Sequence, residues 1–168
     1  MTLCPGWRGL AWPMSQIDAT SAFYQVRVRP NQEEMFTFAD PRGRRWAMKV
    51  MCMGATNAMA CLHDVVSSVF QNFIIAGDMI VYADYWVLIS ETVEEHAELL
   101  ERVLQRCREA KFVLHPGKSD FFVNEVTFLG FHVKDGQVQP EEDKAEAFKT
   151  WPTPKRARDV RAFLGAAN

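Results

Sequence analysis

Paired cysteines are missing from this sequence. Cys4, Cys52, Cys61 and Cys107 show no Cys-x-x-Cys spacing, so neither a zinc site nor a disulfide framework follows. Free thiols in a reducing compartment are the expectation. His63, His96, His115 and His132 also lack metal-ligand spacing and read as structural residues. No long hydrophobic run exists: the apolar stretch from Ile74 to Val81 is broken by Gly77 and Asp78 and is too short to span a bilayer. Met1 to Met14 contains a single basic residue, Arg8, and no sustained apolar segment, which argues against a signal peptide and leaves the compartment open, organelles included. An excess of one charge is absent too. Nineteen basic residues face 21 acidic ones, a net charge of −2, and a domain built to grip nucleic acid is usually basic.

What is present is an ordinary globular composition. Of 168 residues, 48% are hydrophobic and 24% charged, which excludes disorder and gives one domain a real core. Pro5, Gly6, Gly9 and Pro13 make the first residues an irregular entry. Ala22 to Arg29, where Val alternates with Arg, reads as a half-buried strand. Met35–Phe38 and Arg45–Val50 flank a Pro/Gly turn and predict a hairpin whose tip, with Arg42, Arg44 and Arg45, is solvated. Leu62, Val65, Val66, Val69, Phe70 and Phe73 give Thr56–Phe73 one apolar helical face.

Ile74–Ile75, then Met79–Tyr82, and then Trp86–Ile89 read as strands around a tight turn at Ala83-Asp84-Tyr85. Thr92 with Glu95 forms a capping box for a helix to Lys111, with Val93, Ala97, Leu100, Val103, Leu104 and Cys107 on its apolar side. Phe121–Phe122 and Val126–Val133 are short strands, and Asp135-Gly136 is a hairpin turn. Pro140–Thr150 and Lys155–Leu164 close the chain as two helices. The order predicts an α+β fold, an antiparallel sheet with helices packed on it.

Several segments carry a family likeness. Ile17-Asp18-Ala19-Thr20-Ser21-Ala22-Phe23-Tyr24-Gln25-Val26 resembles the first catalytic strand of reverse transcriptases from gypsy-type retrotransposons and retroviruses. Met53-Gly54-Ala55-Thr56-Asn57-Ala58 is similar to the loop and helix after the fingers. Val81-Tyr82-Ala83-Asp84-Tyr85 stands where that family carries Tyr-x-Asp-Asp. Glu94-Glu95-His96, Leu114-His115-Pro116-Gly117-Lys118, Phe128-Leu129-Gly130-Phe131-His132-Val133, and Trp151-Pro152-Thr153-Pro154 with Arg161-Ala162-Phe163-Leu164-Gly165 follow in family order. The resemblance implies a palm with helices on one face of its sheet, partial fingers, and the start of the thumb and connection. The expected division is an irregular segment at 1–14, the palm with partial fingers at 15–135, and a helical segment at 136–168. It also implies that the first fingers segment, the full thumb, the connection and RNase H lie outside this chain.

The resemblance further implies a chemistry. Nucleotidyl transfer uses two divalent ions, and hard ions such as Mg²⁺ need several carboxylates aimed at one point. Asp18 and Asp84 match two of the three carboxylate positions; Tyr85 stands at the third, where a neutral phenol is a poor Mg²⁺ ligand. Phe23 matches the aromatic that screens the sugar 2′-hydroxyl, with core packing as its plainer role. Lys118 matches a proton donor to the leaving pyrophosphate, with a solvated loop lysine as the alternative. Tyr82, adjacent to the nucleotide in the family, reads here as a core aromatic. The triphosphate region is acidic and apolar at Glu33-Glu34-Met35-Phe36, and the family's Pro-Phe-Gly reads Cys52-Met53-Gly54.

Three functions follow as expectations. The first is a catalytically inactive reverse-transcriptase-like domain, acting as a structural or protein-binding subunit of a larger assembly and requiring no cofactor. The second is an active RNA-directed DNA polymerase fragment of a retrotransposon polyprotein, using Mg²⁺ at Asp18 and Asp84. The third is a non-catalytic module that binds RNA or DNA through the former template groove.

Overall fold

The structure is a computed structural model, and residues 13–134, 137–140 and 151–167 are described. Its central sheet has the strand order β4-β5-β1-β6, formed by β1 (Met14–Asp18), β4 (Met79–Tyr82), β5 (Tyr85–Ile89) and β6 (Asp120–Val123). All its pairings are antiparallel. A separate ribbon joins β2 (Thr37–Ala39) to β3 (Arg45–Ala47), and a third sheet runs β7 (Glu125–Phe128), β8 (Phe131–Lys134) and β9 (Gln137–Pro140). The helices are α1 (Ala22–Gln25), α2 (Ala58–Val69), α3 (Gln71–Ala76), α4 (Val93–Ala110) and α5 (Ala157–Ala167).

The two faces of the central sheet do different jobs. Ile17, Trp86, Leu88 and Met79 point to one face and pack with Leu62, Val66 and Phe70 on the α2 side and Leu99, Val103 and Cys107 of α4. Met14 and Val87 point the other way, against Val126, Phe128 and Val133 of the third sheet. Helices therefore cover one face, as the sequence predicts. Among the described residues, the buried contact with the third sheet falls on Met14 and Val87 and does not include Asp18. Among the described residues, no helix is long and apolar enough to cross a membrane.

Several sequence expectations fail in detail. The first strand is Met14–Asp18, while Ala22–Gln25 is a helical turn and the Val–Arg part pairs only briefly, with Arg27 bridging Val50, the Met51 N–H donating to the Val26 carbonyl at 2.9 Å and the Val28 N–H to that of Lys49 at 3.1 Å. Ser15 and Gln16 hide that strand from a hydrophobic-pattern reading; Ser15 is fully buried and is satisfied by a distant histidine. The long helix breaks at Phe70, whose φ of −105° and ψ of 16° separate α2 from α3. The break lets the Phe70 ring pack tilted against Trp86, centroids 4.8 Å apart, while Phe73 also faces the core. Ile74 and Ile75 are helical rather than extended, because α3 runs on to Gly77, whose φ of 84° supplies the left-handed C-terminal cap.

On α4 the capping box forms as expected, with Thr92 Oγ1 accepting from Glu95 N–H at 3.2 Å and the Glu95 carboxylate accepting from Thr92 N–H at 3.2 Å. The buried stripe is His96, Leu99, Val103 and Cys107, whereas Val93 and Ala97 are exposed. Pro140 ends β9 instead of starting a helix, and the expected helix at 141–150 and the Asp135-Gly136 turn lie outside the described residues. So does nearly all of the 1–14 segment; its last residue, Met14, is the first of β1.

Candidate functional site

The site grows from the end of the central sheet. Asp18 is the last residue of β1 and sits directly opposite Tyr85, the first residue of β5; Tyr85 in turn sits opposite Tyr82, the last residue of β4. Directly opposed side chains in antiparallel strands share a face. Tyr82, Tyr85 and Asp18 thus form one row across three strands, on the face turned away from α2 and α4. The next row, Val81, Trp86 and Ile17, is turned into the helix-covered core.

The turn between β4 and β5 is the two residues Ala83 and Asp84. Ala83 adopts a left-handed φ of 53° and is buried, and its carbonyl accepts the Trp86 indole N–H at 3.1 Å. That anchor brings half-buried Asp84 to the β1 terminus, where its carbonyl accepts the Ala19 N–H at 3.0 Å. Asp18 and Asp84 are therefore brought together, one at a strand end and one on the adjoining hairpin.

Asp18 is 4% exposed, and its backbone is held from both sides. Its N–H donates to Ser119 Oγ at 3.1 Å, and its carbonyl accepts the His115 N–H at 2.8 Å. Ser119 Oγ donates to the His115 carbonyl at 2.9 Å, and the His115 Nδ1 is buried with no protein partner. Sequence reasoning names the His115-Pro116-Gly117-Lys118 loop but misses Ser119; no local signal marks a serine that acts across such a separation.

The remaining candidates are placed plainly. Lys118 is exposed in the short 3₁₀ turn Pro116–Lys118, next to the loop residues that hold Asp18. Phe23 lies half-buried against the helix-side core. Tyr82 is 47% exposed and Tyr85 41%, so the expectation of a core tyrosine at 82 fails: the last residue of β4 falls on the uncovered face. Among the described residues, no three His, Cys, Asp or Glu side chains gather as metal ligands. The hairpin tip is exposed, as expected, and Asp40 orders it by accepting from Arg42 N–H at 2.9 Å and Arg44 N–H at 3.0 Å. These bonds, that of Arg44 first, hold the Asp40 carboxyl below its usual range.

Comparison with known proteins settles the family. Residues 8–133 match the family model described as reverse transcriptase (RNA-dependent DNA polymerase). The chain belongs to the reverse transcriptase family. The Tf2-7 and Tf2-3 transposon polyproteins of Schizosaccharomyces pombe are each 26% identical to this reverse transcriptase domain over 154 residues, covering 92% of the chain and 11% of each polyprotein. The chain thus spans a small part of those relatives. The foamy viral protease-reverse transcriptase dRH in complex with ds DNA shares the fold, with a TM-score of 0.79 at 24% identity over 95% of this chain and 27% of that one. The foamy viral protease-reverse transcriptase in complex with RNA/DNA hybrid gives a TM-score of 0.74 at 24% identity, over 96% and 22%. The fold is a mixed helix and antiparallel-sheet architecture of the reverse transcriptase palm and fingers.

Proposed function

We propose that this chain is a reverse transcriptase palm that no longer polymerises and works as a structural or protein-binding subunit of a larger assembly. One observation carries the reading: Tyr85 stands directly opposite Asp18, where the family resemblance calls for a third carboxylate. Asp18 and Asp84 lie close along the backbone, the Asp84 carbonyl accepting the N–H of Ala19, but two carboxylates and a phenol do not fit a pair of divalent ions. Glu33 and Glu34, exposed or half-exposed in the 3₁₀ turn before β2, add negative charge where a triphosphate would need cations. Half-exposed Tyr82 and Tyr85 and the open ribbon aromatics Phe38 and Trp46 are apolar surface that a partner would cover. On this reading Phe23 packs against the core, and Lys118 is a solvated loop residue. The division into a palm with partial fingers and a segment leading toward the thumb belongs to the same proposal.

A second reading, an RNA-directed DNA polymerase within a longer polyprotein using Mg²⁺, draws support from the family-like aspartates Asp18 and Asp84 and the Tf2 polyprotein relatives. Primer extension with Mg²⁺ or Mn²⁺, run beside Tyr85→Asp, tests both. No extension by the unmodified chain is expected, and extension by it would overturn the first reading. A nucleic-acid-binding role without catalysis predicts affinity that falls steeply with salt.

A further inference from the structure

One edge of the β2–β3 ribbon has backbone groups near its tip that pair with nothing among the described residues. Phe38 faces Trp46 in its ladder, the Asp40 N–H donates to the Arg44 carbonyl at 2.9 Å, and the Met48 N–H donates to the Phe36 carbonyl at 3.0 Å. Residues 44, 46 and 48 therefore turn their backbone groups toward β2, and strand alternation turns those of Arg45, Ala47 and Lys49 outward. The far end of that outer edge is already occupied: the Lys49 carbonyl accepts the Val28 N–H at 3.1 Å, and Arg27 bridges Val50. Nearer the tip, among the described residues, no backbone hydrogen bond reaches the outward groups of Arg45 or Ala47.

The ribbon is short of a strand in energetic terms as well. Every residue of β2 and β3 is exposed, and a two-stranded ribbon is marginal until a third strand or a covering element joins it. Its outer strand is chemically two-sided. Arg45, Ala47 and Lys49 share one face, and Trp46 and Met48 share the other. Arg44 is occupied elsewhere, ion-paired to Asp40 at 2.7 Å with its guanidinium over the Trp46 ring at 5.5 Å. Arg45 and Lys49 carry no ion pair among the described residues. Around this edge Arg27, Arg29, Arg42, Arg45 and Lys49 outnumber Glu33 and Glu34, although the whole chain is net −2.

We propose that this edge docks an extended segment of a partner protein in which acidic and apolar residues alternate, added to the ribbon as its third strand. The partner backbone bonds to Arg45 and Ala47, its carboxylates lie opposite Arg45 and Lys49, and its apolar side chains lie beside Trp46. Like charge at Arg45 and Lys49 keeps a second copy of the same edge away. The inference rests on the protein-binding reading above and names the partner's chemistry.

A capped synthetic peptide alternating glutamate and valine is the probe, titrated into the full chain while amide hydrogen exchange is followed residue by residue. The peptide should slow exchange at Arg45 and Ala47 and leave β5 unchanged. Ala47→Pro deletes an outward N–H without touching the β2 ladder and should abolish that protection. Arg45→Glu with Lys49→Glu should weaken the glutamate peptide about tenfold or more and gain a lysine–valine peptide, a swap that a misfolded variant would not show. Three results overturn the proposal: no protection at up to about 1 mM peptide, protection that survives both variants, or tighter protection of the same amides by oligothymidylate. Primer extension by the unmodified chain would remove the inactive reading and leave these outcomes readable. Failure of the peptide leaves Tyr85 opposite Asp18 as before.

Discussion

His96 Nε2 and Ser15 Oγ lie 2.7 Å apart in the fully buried seam between α4 and β1, the strand that carries Asp18. The Ser15 hydroxyl also accepts the Phe122 N–H at 3.1 Å, and His96 Nδ1 lies 2.7 Å from Ser90 Oγ, which donates to the Thr92 carbonyl at 3.3 Å. Every hydrogen in this chain is used when Ser15 donates to Nε2 and Nδ1–H donates to Ser90. A second ring proton would leave the Ser15 hydroxyl hydrogen without its acceptor.

Acid should therefore weaken the fold through His96. Burial holds its pKa below the usual value, so the folded state binds fewer protons than the unfolded state once pH drops below about 6.5. The stabilisation is complete above that value and is lost as pH falls from it toward the lowered folded pKa. Urea midpoints measured from pH 7.5 downward should fall across that window. In His96→Leu the His-linked part of the slope should vanish, at a cost of about 1–3 kcal/mol for stranding Ser15 and Ser90. An unchanged slope in the variant would remove His96 as the cause.

Tyr85→Asp should behave as a metal site rebuilt at a price in stability. Placing a carboxylate directly opposite Asp18 opposes like charges, worth about 0.2–1 kcal/mol of destabilisation without metal. Mg²⁺ or Mn²⁺ should then raise the melting temperature of the variant in a concentration-dependent way while leaving the unmodified chain almost unmoved. Equal metal responses in the two proteins would contradict the reading of Tyr85.

Thiol labelling should separate the cysteines by burial. Cys107 is 2% exposed, and burial pushes its thiol up to about 12, whereas Cys61 is exposed. Iodoacetamide at pH 8, read by peptide mass mapping, should modify Cys61 and spare Cys107 until denaturant is added. Early modification of Cys107 in native protein would show that α4 is not seated as described.

Two neighbouring apolar residues should differ sharply on truncation. Phe70→Ala removes a fully buried ring packed on Trp86 and should cost about 3–5 kcal/mol. Ile75→Ala, at a site 75% exposed, should stay within about 0.5 kcal/mol of the unmodified chain. Denaturant midpoints for the pair test whether α3 is helical, since a strand through Ile74 and Ile75 would pair and bury its residues differently.

Much of the site was legible because its signals are local. The capping box at Thr92 and Glu95, the apolar strands on either side of Ala83-Asp84 and the order of the family-like segments all lie within short stretches of chain. The misreadings share one cause. The Val–Arg alternation at Val26 to Arg29 looks like a full strand but pairs only briefly around Arg27 and Val50, while Met14–Asp18 looks polar and is the strand between β5 and β6. On α4 the spacing admits two neighbouring stripes, and packing on β5 with the Ser15 bond from β1 selects the one containing His96.

Residue chemistry and short-range pattern were enough for an α+β fold, and the resemblance of its segments to reverse transcriptases implied the palm, with aspartates at 18 and 84 and a tyrosine where that family carries a third carboxylate. Which strand lies at the centre, that Tyr82 faces outward, and that Ser119 and His115 hold Asp18 in place were settled by packing between distant segments. Long-range partners make the difference. A buried serine is tolerable in a sheet only when something far along the chain supplies its hydrogen bond, and no window of neighbouring residues records that partner.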